Sequence, residues 1–427
     1  MGGRLTALEE ALEFLFARTT SGFKFGLERT EALLDAVDNP HRAYPVIHVA
    51  GTNGKGSSLA TAEALLMGQG LKVGKYTSPH LVDFRERILV DRAPIDGADV
   101  LAFVTQWTPL VEQLGATFFE ATTVLAFDHF ARANVDVALI ETGLGGRLDS
   151  TNVVNPVSAG VTSIGWDHME YLGHSLDAIA LEKAGIFKPG RPAVIGESSP
   201  ELRDTLRLRA AELGATPIVV EDVVKIDDIA VGATGTTVSL RMREEKLTLR
   251  TPLIGRHQAH NLAFTLALLD AAGDPYARAL SESAELLQHV SIPGRFQRSG
   301  RYIFDVAHNA DGARMLADTL QAVAPMRPVK AIFCALRDKE WREMLLALGG
   351  VVDELVLTNA PTAPASRAWS LEDGGEFLRR SNLRGTIAPT LDEALASVQD
   401  AATVVVTGSF HTVGDAMAKL QLSPLTA

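Results

Sequence analysis

The sequence predicts an α/β protein: a P-loop nucleotide-binding domain with a mostly parallel sheet, followed by a smaller C-terminal Rossmann-like α/β domain. Three observations carry this prediction. From Pro45 onward, short apolar runs alternate with helix-patterned segments, as they do when helices cover both faces of a parallel sheet. The first such run enters the glycine-rich turn Gly51-Thr52-Asn53-Gly54-Lys55-Gly56-Ser57 and leaves it as a helix, the setting of a phosphate loop. The alternation then stops at Ser291-Ile292-Pro293-Gly294 and begins afresh, which separates residues 1–290 from residues 295–427.

The elements follow in order. Leu5, Leu8, Leu12, Leu15 and Phe16 share one face of an N-terminal amphipathic helix. Short apolar runs predict strands at 46–50, 72–76, 135–141, 157–163, 193–196 and 217–220, with helical patterns at 121–133, 176–187 and 200–213. Residues 226–231 and 237–249 alternate in polarity about Gly232-Ala233-Thr234-Gly235, which predicts an antiparallel excursion of two strands. Helices at 257–272 and 280–288 close the first domain. In the second, 301–306, 329–334, 354–358 and 403–407 read as strands with helices between them.

Composition narrows the class of function. A net charge of −12 opposes sequence-independent nucleic-acid binding, which needs a positive field. It leaves an anionic small substrate open, because local basic residues override the global sign. The single cysteine, Cys334, excludes an intramolecular disulfide and a cysteine metal cluster, and its apolar run gives it a packing role. No run reaches the roughly 20 apolar residues that cross a bilayer, and the N-terminus lacks a signal-peptide core. We expect a cytoplasmic monomer with no nucleic-acid or membrane partner.

The candidate site residues sit at strand tips. Gly51, Gly54 and Gly56 let backbone N–H groups close around phosphate oxygens, with Thr52 and Asn53 completing the turn. Lys55 supplies a charge for the β- and γ-phosphates and the Ser57 hydroxyl a ligand for Mg²⁺. The common pattern places the hydroxyl residue directly after the lysine; here Gly56 intervenes. Ser78 lies at the carboxyl end of the 72–76 strand, where open α/β sheets place ligands, although Ser-Pro is also an ordinary turn. Glu141 ends a strongly apolar strand beside the phosphate loop, and Mg²⁺ takes a few such oxygens together with substrate phosphates. His168, after Asp167, reads equally as a metal ligand, a neighbour of one, or a structural histidine.

Lys183 falls on the apolar stripe of its helix with Leu176, Ile179 and Ala180. It is either a snorkelling or paired lysine or a desolvated amine with a lowered pKa. In the second domain Arg295 can clamp a phosphate or carboxylate and Asp305 can hold a ribose hydroxyl. Gly408-Ser409-Phe410-His411 is a further strand-tip loop. A cleft between the domains is the expected site.

Assembled, these motifs resemble the folylpolyglutamate synthase and dihydrofolate synthase family, relatives of the Mur ligases. The resemblance runs from Leu27-Glu28-Arg29 through the phosphate loop, residues 77–81, 141–152, 163–173, 182–190 and 255–261. It continues through Pro293-Gly294-Arg295, Asp305-Val306-Ala307-His308-Asn309 and residues 408–414. It implies a Mur-ligase-like ATP-binding domain, a C-terminal glutamate-ligase domain, and ATP-dependent addition of L-glutamate to a reduced folate or dihydropteroate carboxylate through an acyl phosphate.

Carried over, Gly54, Lys55 and Ser57 bind ATP phosphates and metal. Ser78, Glu141 and His168 match a Mg²⁺ site, and Lys183 matches a carbamylated lysine beside a second ion. Asn261, Arg295 and Asp305 match ATP contacts, His308 and Ser409 match positions that hold glutamate, and Phe119 and Glu120 fall on the pterin side. The intervening Gly56 is the family's usual form of the loop, and residues 410–414 resemble its bifunctional bacterial members.

Two other readings compete. One is a Mur-type ligase acting on a nucleotide-linked substrate, against which the 44 residues before the phosphate-loop strand are too few for a separate nucleotide-sugar domain. The other is a nucleotide-binding regulator without catalysis, against which the full set of Lys55, Ser57, Glu141, His168 and Lys183 weighs.

Overall fold

The computed structural model describes residues 6–21, 26–277 and 280–426. Eight strands form the first sheet: β1 (Val46–Ala50), β2 (Val73–Tyr76), β3 (Ile88–Val90), β4 (Ala93–Pro94), β5 (Val137–Glu141), β6 (Ser158–Val161), β7 (Pro192–Ile195) and β8 (Thr216–Val219). Their order is β4-β3-β2-β5-β1-β6-β7-β8, parallel except for the antiparallel edge made by β3 and β4. β1 and β5 are buried along their whole length, as strands covered on both faces must be. The chain leaves β1 on one side for β2 and returns on the other at β6. That reversal opens a crevice at the carboxyl ends of β1, β5 and β6, where ligands bind in open α/β sheets.

The antiparallel excursion has three strands, β9 (Val224–Gly232), β10 (Gly235–Met242) and β11 (Glu245–Thr251), where the sequence predicted two. The 237–249 run folds back at Arg243-Glu244, with Met242 paired to Glu245 and Arg243 at φ 54°. Neither turn residue is a glycine, asparagine or proline, so nothing local marked the break.

The second α/β domain carries β12 (Gln297–Ser299), β13 (Tyr302–Phe304), β14 (Val329–Phe333), β15 (Glu354–Leu357), β16 (Gly385–Ile387) and β17 (Thr403–Thr407). They lie in the order β12-β13-β17-β14-β15-β16, parallel apart from β12. The carboxyl ends of β13, β14 and β17 lie together at this sheet's centre.

The N-terminal helix spans Ala7–Ala17 and opens with a Thr6–Glu9 capping box. Leu15 is buried and Leu8 and Leu12 pack beside it on the first-domain core. Phe16 lies at the rim of the predicted apolar face: it is 39% exposed and stacks on Phe118 at 5.3 Å. Leu8, Leu12, Leu15 and Phe16 are spaced i, i+4, i+7 and i+8, and Phe16 takes the edge of that stripe, against Phe84 and Phe118 of the same core. Leu5 lies outside the described residues. The predicted 280–288 helix ends at Leu286 and continues as a 3₁₀ turn, Leu287–His289. Among the described residues, no helix is long and apolar enough to cross a membrane.

Candidate active site

The phosphate loop is shaped by close backbone approaches. A Cβ on Gly51, at φ 150°, would fall 1.9 Å from Thr162 Oγ1, and one on Gly54, at φ 91°, 2.4 Å from Asn261 Oδ1. Both positions therefore exclude a side chain. The loop is tied to the β6 end: Thr52 N–H donates to the Ser163 carbonyl at 2.8 Å, Asn53 N–H donates to Ser163 Oγ at 3.1 Å, and Thr162 Oγ1 donates to the Asn53 carbonyl at 2.6 Å. Lys55 opens the helix Lys55–Gly68, and its Nζ folds back onto the carbonyls of Gly51 (2.9 Å) and Thr52 (3.3 Å). Gly56 and the buried Ser57 follow on the first turn.

Glu141 stands beside the lysine, with Oε1 3.7 Å from Lys55 Nζ and Oε2 accepting a 3.3 Å bond from the Ser78 N–H. Burial pushes its pKa upward, against the charges of Lys55, Arg295 and Arg87. The glycine-rich loop after Glu141 is organised by Asp149. Its Oδ2 accepts the N–H groups of Gly143 (2.9 Å) and Leu144 (2.8 Å). Its Oδ1 accepts Thr151 N–H (3.0 Å) and Thr151 Oγ1 (2.5 Å), and His48 Nε2 meets that hydroxyl at 2.8 Å.

Lys183 enters from the helix Leu176–Ala184 and donates to the same Gly51 carbonyl at 3.0 Å. Burial, then the neighbouring charge of Lys55, lowers its pKa from 10.5 to about 7. His168 is held at φ 51° with its Nε2 3.7 Å from Asp167 Oδ1, and burial drives its pKa down to about 3. The imidazole is therefore neutral, as a metal ligand must be.

The second domain closes this cleft. Asp305 accepts the N–H groups of Phe296 and Ala307, each at 2.9 Å, which ties the residue after Arg295 to the turn that follows β13. The Arg295 guanidinium lies 5.2 Å over the Phe410 ring. His308 directs Nε2 to Asp167 Oδ2 at 3.5 Å, and Lys339 forms a short ion pair with Asp167 Oδ1. Burial would raise the Asp167 pKa, but the His308 hydrogen bond and the Lys339 charge hold it well below the usual carboxylate range. Asn53 and Asn309 exchange side-chain amide bonds across the cleft at 3.2 and 3.4 Å.

One cavity is thus lined by Gly51, Thr52, Asn53, Gly54, Lys55, Gly56, Ser57, Ser78, Glu141, His168, Lys183, Asn261, Arg295, Asp305 and His308. Three candidates stand apart from it. Ser409 caps the helix Phe410–Lys419, accepting from Thr412 N–H at 3.1 Å. Glu120 spends its carboxylate on Arg29 (2.9 Å) and on the Thr117 N–H (2.7 Å) that opens the helix Phe118–Ala133. The tip of the Phe119 ring abuts Gly143, its Cζ 2.4 Å from where a Cβ would stand, in the loop after Glu141.

The structure adds His257 and Gln258, which line the cavity one turn before Asn261 on the helix Arg256–Ala272. Gln258 Oε1 accepts from Asn261 Nδ2 at 2.9 Å. Their i, i+3/i+4 spacing from Asn261 was the available signal. Lys339 was missed although it follows a predicted strand, as His308 and Ser409 do.

Two domain patterns match the chain. The Mur ligase middle domain covers residues 49–269, and the Mur ligase glutamate ligase domain covers residues 294–410. They define the class, a Mur-type ATP-dependent ligase. The dihydrofolate synthase/folylpolyglutamate synthase of Bacillus subtilis is 33% identical over 97% of this chain and 100% of its own length. The Mycobacterium tuberculosis folylpolyglutamate synthase complexed with ADP superimposes with a TM-score of 0.89 at 32% identity, over 98% of this chain and 99% of that one. A bifunctional folylpolyglutamate synthase/dihydrofolate synthase with manganese, AMPPNP and L-glutamate bound gives 0.83 at 34% identity, over 96% and 98%. The chain belongs to the dihydrofolate synthase/folylpolyglutamate synthase family.

Proposed function

We propose that this chain uses ATP to join L-glutamate to the carboxylate of a reduced folate and also of dihydropteroate. The observation that carries the reading is one cleft that combines a phosphate loop, a buried strand-tip carboxylate and a desolvated lysine from one domain with Arg295, Asp305 and His308 from the other. The domains we assign are 1–290, for ATP, and 295–427, for glutamate. The protein on this reading is a cytoplasmic monomer with small-molecule partners only.

The chemistry follows from the side chains. A carboxylate is a weak electrophile, so its oxygen first attacks the γ-phosphorus of ATP and ADP leaves. Lys55, already within 3.7 Å of Glu141, exchanges its carbonyl contacts for phosphate oxygens and stabilises the transferring group. Asn261, Arg295 and Asp305 hold the nucleotide, and Arg295 offers a planar clamp for an anion. The amine of glutamate then attacks the acyl carbon and phosphate departs. His308 faces this second step, with Ser409 setting the helix behind it, while Phe119 borders the folate side and Glu120 sets its helix. The second domain excludes water, to which acyl phosphates are otherwise lost.

The donor set fits divalent cations. Among the described residues no three His, Cys, Asp or Glu side chains group as a metal cage. Mg²⁺ needs none, because it takes one or two carboxylates plus phosphate oxygens, and Ser57, Ser78 and Glu141 supply oxygen donors. A second ion fits neutral His168 and Lys183, provided that Lys183 carries a carbamate, whose oxygens are ligands where an ammonium is not. When bound, such ions supply positive charge to the phosphates. Lys55→Ala should lower kcat by at least about a hundredfold. Near-normal glutamate-dependent phosphate release by that variant would remove the phosphate-loop assignment.

A further inference from the structure

Three residues that take no direct part in this chemistry meet at one point. Leu81 ends the Thr77-Ser78-Pro79-His80-Leu81 loop of the first domain, Gly294 belongs to the connection between domains, and Gly414 lies in the helix Phe410–Lys419 of the second. A Cβ on Gly414 would fall 2.0 Å from the Leu81 carbonyl oxygen and 2.9 Å from its carbon. These are backbone atoms, so no rotamer change relieves the clash. The first-domain loop therefore rests its main chain directly on a second-domain helix, at a position where only glycine fits.

The Leu81 side chain reinforces the seat. Its methyl carbons lie 3.1 and 3.5 Å from the Cβ position of Gly294. It packs against the buried second-domain cluster that contains Val306, Val413 and Met417. The loop is also clamped from its own side. Glu86 accepts the N–H groups of Leu81 (2.9 Å), Val82 (2.8 Å) and Asp83 (2.6 Å). Ser78, three residues earlier, donates its N–H to Glu141 Oε2. The short span from Ser78 to Leu81 thus joins the phosphate-side carboxylate at one end to the second domain at the other.

We propose that Leu81 and Gly414 are positioning residues: the second domain, by seating on Leu81, sets where Ser78 and Glu141 stand during phosphoryl transfer. This rests on the ligase reading above and adds to it a mechanical link between domain docking and the first chemical step. A misplacement of about 1 Å at a reacting geometry costs on the order of a hundredfold in rate, so a modest displacement of this loop is enough to matter.

The test uses the full chain with Gly414→Ala, Leu81→Ala and Leu81→Met. Gly414→Ala should lower kcat by at least about tenfold while KM for ATP changes by less than about threefold. X-ray scattering with a non-hydrolysable ATP analogue should show a larger radius of gyration than wild type. Leu81→Ala should behave likewise, and Leu81→Met, which keeps the apolar volume, should restore kcat to within about twofold. A merely structural role predicts a lower melting temperature with unchanged kcat per folded molecule, and that result overturns the proposal. If Gly414→Ala does not fold, the Leu81 pair decides: equal kcat for Ala and Met overturns it. A wild-type chain without glutamate-dependent product would instead sink the ligase reading, and the scattering comparison would still judge the seat.

Discussion

At Lys183, burial and the neighbouring charge of Lys55 bring the amine to about 7, so close to neutral pH a large share of it is free base. Carbon dioxide reacts with that form alone, and capture should therefore rise as pH increases through 7. Labelled bicarbonate should give a carbamate carbon signal in wild type that Lys183→Ala lacks, and short carboxylates should partly rescue the activity of that variant. Unchanged activity in Lys183→Ala would end the carbamate proposal. The same shift sets a sign for stability. Between about 7 and the ordinary lysine value of 10.5 the unfolded chain binds a proton that the folded chain does not. Stability contributed at this site should therefore rise with pH across that window, with the full penalty present below it. The sequence supplied the lysine and its apolar stripe; the Gly51 carbonyl at 3.0 Å, from a residue 132 positions away, was not legible in helical spacing.

Among the elements, the loop from Thr142 to Asp149 shows how a strand tip becomes a site. Asp149 gathers two N–H groups of the loop and the Thr151 N–H and hydroxyl. Asp149→Ala leaves buried donors without partners and should cost roughly 2–3 kcal/mol in urea unfolding, with a larger fractional loss in kcat. Stability within about 0.5 kcal/mol of wild type would show that the loop holds itself. The strands of both sheets were legible because apolar runs buried on both faces announce themselves. The short edges β3, β4, β12 and β16 were not, since two or three residues carry no period. The turn at Arg243 was hidden for want of a turn residue, and the capping bonds of Ser409 and Glu120 were not separable from ligand roles in sequence, because caps and ligands draw on the same polar side chains.

Across the whole molecule, Asp167 of the first domain pairs with Lys339 and His308 of the second, and both members of the Asp167–Lys339 pair are more than nine-tenths buried at the side chain. Removing one partner of such a pair costs about 3–5 kcal/mol where both stay buried. Lys339→Met should therefore relax the closed arrangement, seen as faster proteolysis of the connection at residues 291–294 and a lower kcat. Unaltered proteolysis would place closure elsewhere. Sequence reading reached the cleft by noting polar strand tips in two domains, yet Lys339 escaped it. Its role exists only across the cleft, and no pattern within one domain encodes a distance to the other.

The most direct test supplies dihydropteroate and tetrahydrofolate, side by side, with ATP, Mg²⁺ and L-glutamate, and measures ligated product together with ADP. Two-acceptor ligation requires glutamate-dependent product from both, one ADP for each amide bond formed. ADP released at the same rate without glutamate, or nucleotide binding with no product from either acceptor, would contradict it.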